Sequence, residues 1–399
     1  MTTIEDRRID LLDGYLYAGD PEPTYAWLRA HGPVYRDETN GIWGISRYRD
    51  VMAVETDAAR YSSAHGSRPR LEDSSSMINM DDPAHHQFRQ MVSRQFTPRA
   101  VKRFEDRVRE RVTELIDAVC ERGCCDVVHD LAAPLPATLI GERLGYPTEL
   151  WERVVYWSET TMQLGGGPAY VSTAGMTAAE DFGATTWQLI QERRAEPKED
   201  LISVWCHQEV GGRLMTDAEI ISEALLVLDG GAETTRSVIG SATLALIEHP
   251  DERAKLIEDP SIIGATGVEE FIRWVTPILN MRRTATVDHQ LHGQPIRAGD
   301  ELLLMYSSAN RDPDAFTDPQ RFDVTRRHNN HVAFGFGTHF CLGASLARLE
   351  IRVMFEELIR RLPDMRVAAY ADPRIQPSAF ARGLKDLKVE FTHSSRSAG

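Results

Sequence analysis

The sequence predicts a mainly α-helical fold with a minor β region, on three observations. A T-x-x-E capping box, Thr216-Asp217-Ala218-Glu219, opens a helical signature that ends at His249 before Pro250. It is about 33 residues long, or roughly 50 Å at 1.5 Å per residue. From Ile220 to Leu228 it is apolar nearly all round, so it belongs in the interior. A glycine-rich loop carrying Cys341 runs into a second helical segment from Ala344, with Leu342, Leu346, Leu349 and Val353 on one stripe. Strand-like runs are short and lie near each end. No internal repeat and no boundary linker interrupts the 399 residues, so a single domain over 1–399 is expected.

Composition narrows the function classes. Lys and Arg number 45 against 60 Asp and Glu, a formal charge of −15, which disfavours nucleic acid and acidic membrane surfaces. Met1–Asp6 lacks a basic region followed by an apolar one, and no span approaches ~20 apolar residues. A soluble, cytoplasmic protein is expected. Five cysteines, an odd number, argue against a disulfide framework. Cys120, Cys124 and Cys125 have poor zinc spacing and read as structural or incidental thiols, and Cys206 carries no motif.

Along the chain, Pro33–Ser46 reads as a hairpin around Asn40-Gly41, and Arg47–Tyr61 as a helix. Ser62–Ser76 is a polar loop. Helical sequence then runs from Asp82-Pro83 to about Val119 with a break at Thr97-Pro98. His85 and Arg89 lie four apart on one face of it, with His86 exposed beside them. The 115–136 stretch reads as a helix, a short strand and another helix start. Helices at Thr148–Gln163 and Ala178–Arg194 flank Gly165-Gly166-Gly167-Pro168-Ala169, either a lid or an ordinary mobile loop.

The middle of the longest helix holds Gly230-Gly231-Ala232-Glu233-Thr234-Thr235. Each mid-helix glycine costs about 1 kcal/mol relative to Ala, and an unpartnered buried Glu233 costs more. Such a conflict between local propensity and position marks a functional site. Further on, Glu270 and Arg273 are i,i+3 neighbours able to pair. Arg282 and Arg283 are adjacent on a predicted strand and face opposite ways.

In the stretch Phe334-Gly335-Phe336-Gly337-Thr338-His339-Phe340-Cys341-Leu342-Gly343, the cysteine sits where loop becomes helix. Backbone N–H groups and the helix dipole there favour a thiolate, a ligand for a soft metal centre. Glycines at 335, 337 and 343 permit positive φ and close approach of a large flat group, a shape suited to haem.

Phe334, Gly337, His339, Cys341 and Gly343 match the F-x-x-G-x-H/R-x-C-x-G loop of cytochromes P-450 at every position, and on these residues the chain resembles that family. The resemblance implies a single cytochrome P-450 fold with haem b (Fe-protoporphyrin IX) between the long central helix and the cysteine loop, its iron bound by Cys341. It implies His85, Arg89, Arg283 and His339 as haem-propionate partners, with Phe334 and Gly335 beside the cofactor. Glu233 and Thr234 match an acid–alcohol pair that delivers protons where the helix opens locally for dioxygen. Glu270, Arg273 and Arg321 match a structural charge network. Met77, Ile78, Leu226, Gly230, Ile278, Leu279 and Phe380 become pocket candidates beneath a roof at about 163–178.

The implied activity is insertion of one oxygen atom from O₂ into a C–H bond of a hydrophobic substrate. Electrons would come from NAD(P)H through ferredoxin reductase and ferredoxin. A basic run, Arg89, Arg94, Arg99, Lys102, Arg103, Arg107, Arg109 and Arg111, with Arg348 and Arg352, is the expected docking surface of a monomeric enzyme. Several stretches resemble actinobacterial steroid side-chain hydroxylases, which points to a sterol such as cholest-4-en-3-one. The alternatives are tailoring of a macrolide or carrier-bound peptide, a peroxide-using enzyme, and a non-enzymatic haem sensor.

Overall fold

A computed structural model describes residues 8–70 and 75–396. Met1–Asp6 and part of the polar 62–76 stretch lie outside the described residues. The architecture is helical, with a sheet against one side. Asp217–Glu248 is one continuous helix closed by the expected capping box: Glu219 N–H donates to Thr216 Oγ1 (3.2 Å) and Thr216 N–H to Glu219 Oε2 (2.8 Å). Pro250 ends it and occupies the first turn of the next helix, Pro250–Glu258, where a missing N–H costs nothing. The long helix packs against Pro134–Leu144 and Trp151–Leu164, and against Val268–Val275 and Ala344–Arg361. Its apolar N-terminal half is thereby buried from several directions.

The principal sheet has five strands in the order Val34–Asp37, Ile42–Ile45, Glu301–Met305, Asn280–Ala285, Tyr61–Ser62. Only the Ile42–Ile45 and Glu301–Met305 pair is parallel. Arg283 lies opposite Leu302 in this register, and Arg282 opposite Leu303. A smaller sheet joins Cys124–Asp126 to the C-terminal strands Lys388–Glu390 and Arg366–Val367. Cys125 is buried and Cys124 exposed, as strand alternation dictates. All five cysteines are free thiols.

Three expectations need correction. The helix expected over Arg47–Tyr61 stops at Thr56. Asp57 then accepts from Arg60 N–H, and Tyr61–Ser62 becomes an edge strand paired with Ala285 and Thr284. The expected turn at Asn40-Gly41 is a longer loop in which only Gly41 takes positive φ (+66°), while the Asp37 carboxylate accepts from Thr39 and Asn40 N–H. The long helix does not open at 230–235; it continues through the glycines. Short helices at Glu22–His31 and Leu201–His207 are additions for which no expectation was drawn. No helix among the described residues is long and apolar enough to cross a membrane.

Candidate active site

One large, mainly apolar cavity lies between the long helix and the cysteine loop. On the loop side the backbone is pinned at three points: Gly335 N–H donates to Val332 O (2.9 Å), Phe340 N–H to Gly337 O (3.1 Å) and Cys341 N–H to Phe334 O (2.9 Å). Gly335 and Gly337 take φ of +66° and +68°, which an L side chain resists. Phe334 is held by the Arg348 guanidinium, 4.6 Å from its ring centroid, and Arg348 pairs with Glu269 at 2.6 Å. The Cys341 side chain fronts the cavity.

Four basic side chains from three segments converge on the same cavity. His85 and Arg89 share a helix face, as their spacing requires, and the His85 ring lies 4.2 Å from that of His339, tilted by 44°. Arg89 Nη2 donates to Phe340 O at 2.6 Å. Arg283 reaches in from the sheet and pairs with Glu55 at 2.8 Å. His86 is exposed, and Arg282 points elsewhere, to Gly66 O (2.9 Å) and Glu301 (3.3 Å). Burial and the neighbouring Arg283, His85 and Arg89 push His339 down to about 3. The rim therefore carries more positive charge than Glu55 balances.

On the opposite wall the two helix glycines have different reasons. A Cβ at Gly231 would lie 2.7 Å from Ile140, so close packing of two helices requires glycine there. A Cβ at Gly230 would meet nothing within 4 Å and would project into the cavity. Thr234 also faces the cavity, its hydroxyl donating to Gly230 O at 2.7 Å. Glu233, one residue earlier, turns into a second, smaller cavity with Arg382 and Lys385. It pairs there with Arg236 (2.9 Å), which also reaches Glu159 (3.4 Å). Burial, opposed by Arg236 and reinforced by Glu159, raises Glu233 to about 7.

A cytochrome P450 model matches residues 175–367. Over 393 residues, 97% of each chain, the protein is 42% identical to the steroid C26-monooxygenase of Mycolicibacterium smegmatis. It is 39% identical over 366 residues, 88% of this chain and 85% of the relative, to the methyl-branched lipid omega-hydroxylase of Mycobacterium tuberculosis. A solved structure from Bacillus megaterium in complex with testosterone superposes with a TM-score of 0.87 at 30% identity, covering 98% of this chain and 100% of that one. The chain belongs to the cytochrome P450 family. It is a monooxygenase with a haem-thiolate cofactor.

The residues of this cytochrome P450 fit that cofactor on observations independent of the family. Gly343 has an ordinary φ of −83°, and a Cβ there would meet nothing within 4 Å. Neither strain nor packing within the chain accounts for glycine at 343 or at 230, one on each wall, whereas a flat group between them does. The basic rim matches a dianionic edge.

Four expectations about the site are corrected. Arg321 is not the third member of the charge network. Its side chain is 59% exposed and lies 3.8 Å from Glu252, while Arg326 fills the role at 3.1 Å from Glu270. Glu270 and Arg273 form a fully buried bidentate pair, both bonds 2.8 Å, and Arg273 also donates to Asn310 O and Pro319 O at 2.9 Å. Asn310 in turn accepts from Val332 N–H at 2.8 Å, which ties the pair to the start of the cysteine loop. Leu279 belongs to the core behind the sheet with Leu303 and Ala379, because its neighbour Ile278 takes the cavity-facing side. Burial raises the Cys341 thiol above its ordinary value, outweighing the backbone N–H groups of Gly343 and Ala344 that were expected to lower it. Residues 163–178 contribute nothing to the cavity lining; Gly165 stands behind Phe380, where a Cβ would lie 2.5 Å from the ring.

Met77, Ile78, Leu226, Gly230, Ile278 and Phe380 do face the cavity, with Phe334 and Gly335. The basic run is neutralised within the chain only over its C-terminal part and at Arg348 and Arg352. Arg107 pairs with Glu142 (2.5 Å), Arg109 with Glu105 and Glu356 (2.9 and 2.8 Å), Arg111 with Glu114 (3.0 Å) and Arg352 with Glu105 (2.9 Å). Arg94, Arg99, Lys102 and Arg103 are exposed and make no ion pair among the described residues. Four polar residues of the cavity, Arg68, Asp229, Tyr306 and Glu350, were not anticipated from sequence as lining it.

Proposed function

We propose that this cytochrome P450 hydroxylates the terminal carbon of a steroid-like lipid. In this reading it acts as a single-domain, cytoplasmic monomer using haem b, with electrons passed from NAD(P)H through ferredoxin reductase and ferredoxin. The observation that carries the reading is the cavity: apolar side chains of Met77, Ile78, Leu226, Ile278 and Phe380 stand over a wall that presents a cysteine and a basic rim. The similarity to enzymes acting on steroid C26 and on methyl-branched lipids supports the same substrate class.

Cys341 Sγ would ligate the iron, and His85, Arg89, Arg283 and His339 would hold the propionates, with Phe334 and Gly335 beneath the porphyrin. Bound there, the group supplies activation of dioxygen. The remaining tasks fall to the chain. The apolar wall orients the substrate and excludes water. Glu233, raised to about 7, takes and releases a proton near neutrality from the small cavity that ends at exposed Lys385. Thr234, with its proton directed to Gly230 O, keeps lone pairs toward the cavity that accept a hydrogen bond from a donor there. Glu270, Arg273 and Arg326 hold the loop. The exposed Arg94, Arg99, Lys102 and Arg103 are the surface offered to an acidic ferredoxin, with steering that weakens as salt rises.

The reduced protein under carbon monoxide should show the red-shifted thiolate band, and Cys341→Ser should bind haem without it. Cholest-4-en-3-one should shift the Soret band from low to high spin and be hydroxylated at its side-chain terminus in a surrogate ferredoxin system. No shift and no product with any sterol would remove the substrate assignment.

A further inference from the structure

We propose that Asp229, Arg68 and Thr161 form a subsite for the polar group of the substrate, selecting a neutral hydroxyl over a carbonyl and rejecting a carboxylate. The proposal rests on the lipid reading of the cavity.

Asp229 is 2% exposed on the long helix, yet it faces a mainly apolar cavity. A carboxylate in such a wall is costly unless fully hydrogen-bonded. Here it is only partly so. Asp229 Oδ1 accepts from Thr161 Oγ1 at 2.7 Å, but Oδ2 lies 3.5 Å from Arg68 Nη2, at the outer edge of hydrogen bonding. Arg68 is 27% exposed and held in place by the Phe380 ring, 4.9 Å from its centroid, rather than by a tight ion pair. Fold stability does not explain a buried acid and a stacked arginine left loosely engaged across an apolar space. A ligand group does.

The chemistry of the pair selects that group. A hydroxyl donates to Asp229 Oδ2 and accepts from Arg68 at once. A ketone accepts from Arg68 and leaves Oδ2 unanswered. A carboxylate pairs with Arg68 only by standing beside a buried acid of the same charge. Asp229 precedes Thr234 by five residues, roughly 7.5 Å of helix rise at 1.5 Å per residue. The recognised group is therefore offset along the helix from Thr234 by about that rise.

Soret titration of the holoenzyme with cholesterol, cholest-4-en-3-one and 5α-cholestane, and with hexadecan-1-ol and palmitate, tests this. Wild type should bind the alcohol of each scaffold most tightly, with roughly tenfold or greater loss for the deoxy sterol. Asp229→Leu should abolish the alcohol's advantage and leave 5α-cholestane unaffected. The isosteric Asp229→Asn, which keeps the shape should Leu fail to fold, should raise the affinity for palmitate. Unchanged ranking in both variants, each showing the thiolate carbon monoxide band, would overturn the subsite while leaving the lipid reading intact. Failure of every ligand, 5α-cholestane included, to bind wild type would overturn the lipid reading and the subsite with it.

Discussion

The two walls of the cavity are built on different principles. The cysteine wall comes from ten consecutive residues whose backbone bonds to itself, with left-handed φ at Gly335 and Gly337 and a buried charge pair behind it. The helix wall is regular backbone, and its helix carries three buried acids, Glu223, Asp229 and Glu233, raised by burial to about 8, 6 and 7; of these Asp229 faces the cavity. The partners of Glu223 and Asp229 come from far along the chain, namely Met77 and Arg68 with Thr161, whereas Glu233 pairs with Arg236 one turn on in the same helix. A wall that holds a cofactor of constant shape can be rigid and local. A helix of regular backbone owes the titration of its acids to what folding packs around it, and burial sets those values.

The sharpest way to break this contrast is to remove the support of the rigid wall. Arg273→Ala removes the bidentate partner of Glu270 at zero exposure, leaving Arg326 as its remaining cation, and should cost ~3–5 kcal/mol. Loss of the thiolate band and of soluble yield would register it. Arg321→Ala, on an exposed side chain, should change thermal stability by no more than ~0.5 kcal/mol. Equal effects of the two would restore Arg321 to the network.

A smaller effect separates the adjacent glycines of the helix wall. Gly231→Ala drives a methyl against Ile140 and should cost ~1–3 kcal/mol. Gly230→Ala meets no atom and should gain up to ~1 kcal/mol in helix stability while weakening ligand binding in the Soret titration. Identical stabilities would mean that the two positions are not differently packed.

The last effect is in pH dependence. Glu223 accepts from Met77 N–H at 2.5 Å, and burial holds its pKa at about 8 against an ordinary 4.5. The folded protein keeps a proton that the unfolded chain releases, so this group's stability is full below pH 4.5 and falls as pH rises to about 8. The slope approaches ~1.4 kcal/mol per unit. Glu223→Gln should therefore raise the melting temperature at pH 8 and leave it nearly unchanged at pH 4.5; a uniform shift would contradict the burial argument.

How much was legible beforehand follows the same division. The Phe334–Gly343 loop, the capping box at Thr216 and the His85–Arg89 pair are local patterns whose geometry follows from spacing, and each is found where spacing put it. Arg321 was mistaken for Arg326 because both are arginines on one loop, and burial of the intervening Phe322 decides which side chain turns inward. Leu279 and Ile278 were separated only by which face of the chain met the cavity.

Residue order alone was enough for the helical architecture, the cysteine's place at a loop-to-helix junction and the shared helix face of His85 and Arg89, because glycine torsions, helix period and capping act within a few residues. It was not enough for Arg326, for the raised Cys341 thiol or for Asp229 beside Arg68. Desolvation and charge pairing depend on what comes within a few ångströms in space, and folding brought position 68 to position 229 across 161 residues of chain.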